Sequence, residues 1–197
     1  MTVGPSLAQS MKVVGRLVNL SSGEARTRFA EARVARLATI AAEGTPRLVP
    51  ITFACLTLHD LVASSAPGHR ENHQITTRDD TGETGRADAA GGEAGEGLDV
   101  IVTAVDHKPK RTAKLRRLDD IARDGRVSLL ADEYDDDWSR LWWARADGVA
   151  RVVEPPDPTH LAAVRALAGR YHQYRDHRPA GPAIVVTVTR WTGWSYR

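Results

Sequence analysis

The chain has 197 residues, 42% of them hydrophobic and 26% charged, and its formal net charge of +2 gives no overall field that would attract nucleic acid. This length supports one well-packed core, and the single cysteine, Cys55, excludes an intrachain disulfide and a cysteine-rich metal site. No apolar run approaches the roughly 20 residues of a membrane span, and the N-terminus lacks a secretory-leader pattern, so we expect a cytoplasmic protein.

The N-terminal residues 1–20 have a weak pattern, and we predict a loose extension there. Ser21 and Glu24 have the spacing of a capping box, in which each side chain satisfies a backbone N–H at the start of a helix. We therefore predict a helix from about residue 23 to residue 33. A single domain is expected over residues 21–197.

Two strands are predicted next, over residues 34–41 and 47–58, joined as a hairpin through a turn at Glu43 and Gly44. Pro50 lies inside the second strand. Because proline cannot donate to a strand ladder, it marks an edge or a bulge. The backbone groups of Ile51 and Thr52 could then be free to bind a ligand, although a plain edge strand explains Pro50 equally well.

Residues 66–97 differ in composition from the rest of the chain. Gly, Ala, Asp, Glu and Thr dominate, and Ile75 is the only large apolar residue. Such a segment buries too little surface to offset its ordering entropy, so we predict a disordered insertion. His69 and His73 are four residues apart, but no third ligand supports a metal site there.

A strand over residues 100–105 is followed by a break at Lys108 and Pro109, after which we predict a helix whose first two turns are basic. Cations at a helix N-terminus oppose the helix dipole. An anion bound at this helix start would explain the arrangement. The alternative is a solvated helix that packs its apolar face inward through Leu115, Leu118 and Ile121.

The C-terminal half predicts further strands over residues 126–131, 141–153 and 183–191, and a helix over residues 157–174. An acidic turn precedes the second of these strands and lacks the spacing of a calcium loop. That strand is expected to bend at Asp147 and Gly148. Trp142 and Trp143 must point to its opposite faces. The predicted inward face of the helix is formed by Leu161, Val164, Ala168 and Tyr171.

The predicted elements favour one fold class and no catalytic motif. Six or so short strands with hairpin-length connections indicate a mainly β, α+β protein, an antiparallel barrel with peripheral helices. The sequence contains no nucleophile elbow, P-loop, HExxH or dinucleotide-binding glycine motif. This combination fits a protein in which a bound organic cofactor supplies the reactivity.

Residues 33–56, 102–153 and 180–195 resemble the flavin/deazaflavin oxidoreductase family related to pyridoxamine 5′-phosphate oxidase (PPOX class). The runs KPKRT (108–112), LRRL (115–118) and DWSRLWWARADG (137–148) carry the resemblance. Within this family the chain is similar to the actinobacterial class that uses coenzyme F420. The resemblance implies an FMN-binding-like split β-barrel, a homodimer with its cofactor groove at the subunit interface, and hydride transfer to a small organic substrate.

The resemblance also implies which residues bind the cofactor. Those that would grip its phosphate are Lys108, Lys110, Arg111, Lys114 and Arg117. The strand expected to line its tricyclic ring consists of Val49, Pro50, Ile51 and Thr52, with Thr103 and Ala104 beside it. Trp143 and Trp191 could close the ring pocket, across the dimer if not within one chain. No residue is implied as an acid or base for the hydride step, because the cofactor ring carries the hydride.

Three alternatives remain at this point. An FMN-binding oxidase or reductase would share the fold, and FMN has a phosphate but lacks the glutamate tail of F420. A protein that stores or senses a cofactor without turnover would use the same groove. A nucleic-acid binder would use residues 110–117 for phosphates and Trp142 or Trp143 for stacking. This last alternative is the weakest, because the basic residues form one short run and the aromatics lie elsewhere.

Overall fold

The computed structural model describes residues 16–65, 98–106 and 115–196. Eight strands and five helices are present in these residues, together with a 3₁₀ turn at Trp138–Arg140. In chain order the elements are β1 (Leu17–Asn19), α1 (Ser22–Glu31), β2 (Ala35–Ile40), β3 (Pro46–Ile51), β4 (Ala54–Thr57), α2 (Leu58–Ser65), β5 (Asp99–Ala104), α3 (Arg116–Arg123), β6 (Arg126–Glu133), β7 (Trp142–Val153), α4 (Pro158–Arg170), α5 (Gln173–Asp176) and β8 (Ala183–Tyr196).

The strands form one antiparallel sheet in the order β3-β2-β6-β7-β8-β5-β4, with β1 added beside β8. The two edge strands of this path, β3 and β4, are consecutive in the chain and separated only by Thr52 and Phe53. Two fully extended residues span at most about 7 Å. The end of β3 and the start of β4 must therefore lie close together. The sheet can meet this requirement only by curling into a barrel.

Side chains that alternate along the strands fill two separate cores. The barrel interior contains Leu37, Ile101 and Leu129, and α1 closes it with Phe29, whose ring lies 4.9 Å from that of Phe53. The second core lies outside the barrel, where helices α2, α4 and α5 cover strands β4, β5 and β8. Val102 belongs to this second core, although its neighbour Ile101 points into the barrel.

Several predicted elements agree with the structure. The Ser21–Glu24 capping box is present, since Ser21 Oγ accepts the Glu24 N–H and Glu24 accepts the Ser21 N–H at 2.9 Å. Pro50 lies on β3, an edge strand of the sheet path. The predicted bend in β7 coincides with a change of register at Asp147 and Gly148, where β8 contains one extra residue.

The predicted strand over residues 47–58 is two strands followed by a helix. It breaks at Thr52 and Phe53, because its first part pairs with β2 and its second part pairs with β5 on the other edge of the sheet. Helix α2 was not predicted. Thr57 and Asp60 form a capping pair at its start, with Thr57 Oγ1 accepting the Asp60 N–H at 3.1 Å, and this spacing was a visible signal.

Three other boundaries differ from the predictions. Leu17–Asn19, placed in the N-terminal extension, form β1 against β8, and β8 continues through Tyr196 rather than ending at residue 191. Helix α4 ends at Arg170, and Leu161 on it is 48% exposed. Three of the four residues predicted to point inward, Val164, Ala168 and Tyr171, are buried, and His160, Ala163 and Leu167 complete the buried face. The predicted disordered insertion, with His69 and His73, lies outside the described residues.

Candidate functional site

Two tyrosines of the α4–α5 region hold the corner between β3 and β4. The Tyr171 hydroxyl accepts the Phe53 backbone N–H at 3.1 Å and lies 2.9 Å from the Phe53 carbonyl oxygen. The Tyr174 hydroxyl lies 2.9 Å from Thr52 Oγ1. Phe53 is fully buried, so its backbone groups would each lose about 1–3 kcal/mol without a partner. The two tyrosines therefore determine where the corner, and Thr52 with it, is placed.

Asp106 and Arg117 extend this group of side chains toward the end of β5. The Tyr174 hydroxyl donates to Asp106 Oδ2 at 3.4 Å. Burial lowers the pKa of Arg117 below its usual value, and the nearby Asp106 charge opposes this shift. The guanidinium remains a cation at neutral pH. Its Nε atom is buried and has no hydrogen-bond partner among the described residues. Thr52, Asp106, Arg117 and Tyr174 are called the corner cluster below.

The corner cluster contains two residues that the sequence singled out and two that it did not. Thr52, which follows β3, and Arg117, which lies on α3, were predicted site residues, and Tyr174 and Asp106 connect them. Asp106 and Tyr174 were missed. Asp106 stands directly before the basic segment, and Tyr174 follows Tyr171 at helical spacing, with their rings 5.8 Å apart. These local signals were present, but their relation to Thr52 depends on contacts between distant parts of the chain.

The predicted ring-lining strand presents its residues to two different sides. Val49 is half-buried against the barrel core and Ile51 is 7% exposed, so both side chains point inward. Pro50 is exposed on the opposite face. Thr52 comes after the last residue of β3 and is half-buried in the corner cluster. A ligand lying outside β3 would contact the Pro50 side chain and the backbone of its neighbours.

Thr103 and Ala104 also point to different sides, because they are adjacent on β5. Thr103 is 4% exposed, and Ala104 packs against the helix-covered core outside the barrel. Asp106 follows two residues later. Both predicted residues therefore lie near the corner cluster, but a ligand on one face of β5 would contact only one of the two side chains.

The helix that follows β5 differs from its prediction. The described helix α3 begins at Arg116, because Leu115 has an extended backbone, with φ −90° and ψ 111°. Its first turn contains Arg116 and Arg117 but also the acidic Asp119. The predicted excess of cations over the first two turns, and the dipole argument built on it, do not apply to α3. The other predicted phosphate ligands, Lys108, Lys110, Arg111 and Lys114, lie outside the described residues.

Asp120 fastens the buried face of α3 to the β2–β3 hairpin. It is only 3% exposed. Its carboxylate pairs with Arg47 on β3, accepts the Thr39 hydroxyl at 3.1 Å, and lies 3.7 Å from Arg123. Arg117 is one helical turn before Asp120. The position of α3, and of Arg117 on it, therefore depends on this buried ion pair.

Trp142 and Trp143 point to opposite faces of β7, as predicted. Trp142 packs against the barrel core and donates its indole N–H to Glu133 at 3.1 Å. Trp143 lies on the other face, with its ring 6.5 Å from that of Trp194 on β8. Trp191 points into the barrel, where it donates to Asp99 at 2.8 Å. Within one chain, therefore, Trp143 and Trp191 do not face a common pocket.

The outer sheet face, on which Trp143 lies, carries a shallow groove of about 360 Å³. Its lining is mainly apolar, and Arg36 with Asp132 and Arg145 with Asp147 form ion pairs within the same face. Leu48 is 61% exposed and Tyr134 is 72% exposed there. The groove is lined by Arg36, Ala38, Leu48, Ser128, Leu130, Asp132, Tyr134, Trp143 and Arg145.

Carboxylates of the acidic turn after β6 are paired with Arg140 or with backbone N–H groups of the turn. Arg140 pairs with Glu133 at 2.7 Å and with Asp135 at 2.9 Å, and Asp137 caps the 3₁₀ turn. Over the described ranges, no group of three or more His, Cys, Asp or Glu side chains could hold a metal ion. Burial raises the pKa of the Cys55 thiol to about 12, which argues against a nucleophilic role.

Among the described residues, no helix is long and apolar enough to cross a membrane.

No protein-family model and no curated protein matches this chain. Solved structures do match it. A Mesorhizobium loti protein described as FAD-binding aligns with a TM-score of 0.52 and 16% identity, over 92% of this chain and 98% of its own. A conserved hypothetical protein of Mycobacterium tuberculosis aligns with a TM-score of 0.53 and 18% identity, over 96% and 90%. Such low identities establish the fold alone. The predicted mainly β split barrel with peripheral helices is confirmed.

Proposed function

We propose that the protein is an oxidoreductase that binds coenzyme F420 and uses it to reduce a small organic substrate. The observation that carries the proposal is the corner cluster, which joins Thr52 of the expected ring-lining strand to Arg117 of the expected phosphate-binding segment. The fold supports a flavin-type ligand, since one structural neighbour is described as FAD-binding. When bound, F420 would supply a hydride from its deazaflavin ring.

The described residues fit an anionic, planar cofactor. The buried Arg117 Nε lacks a described partner, and a guanidinium is a strong donor to phosphate or carbonyl oxygens. Pro50 on the edge strand offers a flat apolar surface, with the backbone of Val49 and Ile51 beside it and Thr52 at its end. We assign the ring to this edge and to the end of β5 at Thr103 and Ala104. The phosphate is assigned to Arg117 and to the basic residues Lys108, Lys110, Arg111 and Lys114.

We further propose that a second copy of this chain covers the outer sheet face and completes the cofactor groove. The face carries the apolar side chains Leu48, Leu130 and Trp143 and the ion pairs Arg36–Asp132 and Arg145–Asp147. A two-fold partner brings the same patch against itself, and a patch that carries apolar side chains with both cations and anions can pair with its own copy. Trp143 could then reach a cofactor held by the partner. Trp191 is omitted from this pocket, because it lies inside the barrel.

Binding experiments test the cofactor assignment. Titration of the purified protein with F420, FMN and FAD, followed by fluorescence and absorbance, should show saturation by F420 near one molecule per chain. Lys110→Ala or Arg111→Ala should each weaken binding by about 1–3 kcal/mol, the usual loss for a charge-assisted phosphate contact. Added salt should weaken binding as well.

Arg151→Ala is the matched control, since it removes one exposed cation from β7, far along the chain from the basic segment. It should leave the affinity unchanged. Saturation by FMN or FAD instead of F420 would favour the flavin enzyme, for which the FAD-binding neighbour is the supporting observation. Tight F420 binding without oxidation of reduced F420, over a panel of small electron acceptors, would favour a cofactor store or sensor.

The dimer is tested by charging its proposed interface. Leu48→Arg places a cation at a position that is 61% exposed in the single chain, so folding should be unaffected. Burial of that cation against a second copy would be costly, and we expect monomers in sedimentation velocity and a loss of cofactor binding of tenfold or more. Val62→Arg, also 61% exposed but on α2, is the control. Dimers and full affinity in Leu48→Arg would contradict this assignment of the interface.

A further inference from the structure

The corner cluster contains a chain of three hydrogen-bonding groups taken from separate parts of the fold. Asp106 follows β5, Tyr174 lies on α5, and Thr52 follows β3. The distances are 3.4 Å from the Tyr174 hydroxyl to Asp106 Oδ2 and 2.9 Å from that hydroxyl to Thr52 Oγ1. Tyr174 is only 6% exposed, so bulk water has little access to its hydroxyl.

The chemistry of these groups gives the chain of hydrogen bonds a direction. An ionised carboxylate accepts hydrogen bonds and cannot donate them, whereas a phenol has a single proton to donate. Tyr174 therefore uses its proton toward Asp106, and its oxygen is left to accept the Thr52 hydroxyl proton. The single hydroxyl proton of Thr52 is then donated to Tyr174. Toward any other partner, Thr52 Oγ1 can only accept a hydrogen bond.

We propose that the Asp106–Tyr174–Thr52 chain makes Thr52 an acceptor that selects for a ring N–H on the bound ligand. This inference rests on the proposed function, because it assumes that the ring lies against the end of β3. The pyrimidinedione part of flavins and deazaflavins has one imide N–H, which is a suitable donor. Thr52 acts as the specificity-determining residue, and Tyr174 and Asp106 act as positioning residues through it.

A purely structural role for Tyr174 is the competing explanation. Its ring packs edge-on against Tyr171 in the helix-covered core, so a change at Tyr174 could simply loosen the corner. A looser corner would weaken the binding of every ring ligand by a similar factor. A lost acceptor would instead weaken only those ligands that donate a hydrogen bond to it. The two roles are therefore separated by comparing two ligands that differ in this donor.

The test measures dissociation constants for F420 and for F420 methylated at the imide nitrogen of its ring, with wild-type protein, Thr52→Val, Thr52→Ser and Tyr174→Phe. Thr52→Val is nearly isosteric and removes only the hydroxyl, while Thr52→Ser retains it. We expect F420 to bind Thr52→Val about tenfold more weakly than wild type, since the hydrogen-bond acceptor for the ring N–H is lost. The methylated compound should bind both proteins equally, and Thr52→Ser should behave as wild type.

Tyr174→Phe leaves the Thr52 hydroxyl without its orienting partner, and F420 binding should weaken several-fold while binding of the methylated compound is unchanged. Equal weakening of both compounds in either variant, or no weakening of F420 in Thr52→Val, would overturn the acceptor role. If wild-type protein binds neither compound, the proposed function itself fails. If FMN proves to be the bound ring, the same comparison is made with FMN and N3-methyl-FMN.

Discussion

Asp120→Ala should lower the free energy of unfolding by about 3–5 kcal/mol, the range found when one partner of a buried ion pair is removed. Asp120 is 3% exposed and is the shared acceptor for Arg47 and for the Thr39 hydroxyl. Alanine leaves both donors without their acceptor, and Thr39 is itself only 2% exposed. Urea denaturation followed by tryptophan fluorescence measures the loss. Asp120→Asn should lose less, because its amide oxygen can still accept.

Asp119→Ala is the matched control, since Asp119 is the exposed neighbour on the same helix and its removal changes the net charge equally. It should change stability by less than about 1 kcal/mol. Asp120→Ala should also weaken cofactor binding, because α3 carries Arg117 one turn away. Equal stability of the Asp120 and Asp119 variants would mean that the buried ion pair does not hold α3 in place.

Gly148→Ala should destabilise the protein by about 3 kcal/mol or more, the upper part of the range for overpacking. A Cβ atom at Gly148 would collide with the carbonyl oxygen of Thr187 and lie 3.1 Å from Val188 Cα. These are backbone atoms of the paired strand β8, so rotation of a side chain cannot relieve the contact. Gly148 also stands where the β7–β8 register changes. Thermal unfolding followed by circular dichroism should show a melting temperature lower by about six degrees or more.

The control for Gly148→Ala is Gly169→Ala in helix α4. A Cβ atom at Gly169 would meet nothing within 4 Å. Alanine has a higher helix propensity than glycine, so this variant should be more stable by about 0.5–1 kcal/mol. If both variants shift the melting temperature in the same direction and by similar amounts, the tight β7–β8 approach at Gly148 is not a constraint on the fold.

Features set by near neighbours along the chain could be predicted from the sequence. The Ser21–Glu24 capping box, the edge position of Pro50 and the opposite faces of Trp142 and Trp143 all depend on residues within a few positions of each other. Alternation of side chains and proline's missing N–H act in the same way in any strand. The resemblance to a flavin-type split barrel added the overall architecture, which the structure confirms.

The break at Thr52 and Phe53 could not be predicted in the same way. Residues 47–58 form a continuous strand-like run, and no local signal divides it. The division arises because the curled sheet requires the first half at one edge and the second half at the other. The corner is then held by Tyr171, which is 118 positions away from Phe53 in sequence.

Among the proposed site residues, the sequence by itself determined which ones have suitable chemistry: a proline on an edge strand, a threonine two residues after it, and a cationic segment after β5. Only the tertiary structure decided how they meet, because the partners of Thr52 and Arg117 come from other elements. Tyr174 is 122 residues from Thr52, and Asp120 is 73 residues from Arg47. A hydrogen bond or buried ion pair over such separations depends on the packed positions of whole helices, and no local pattern specifies those positions.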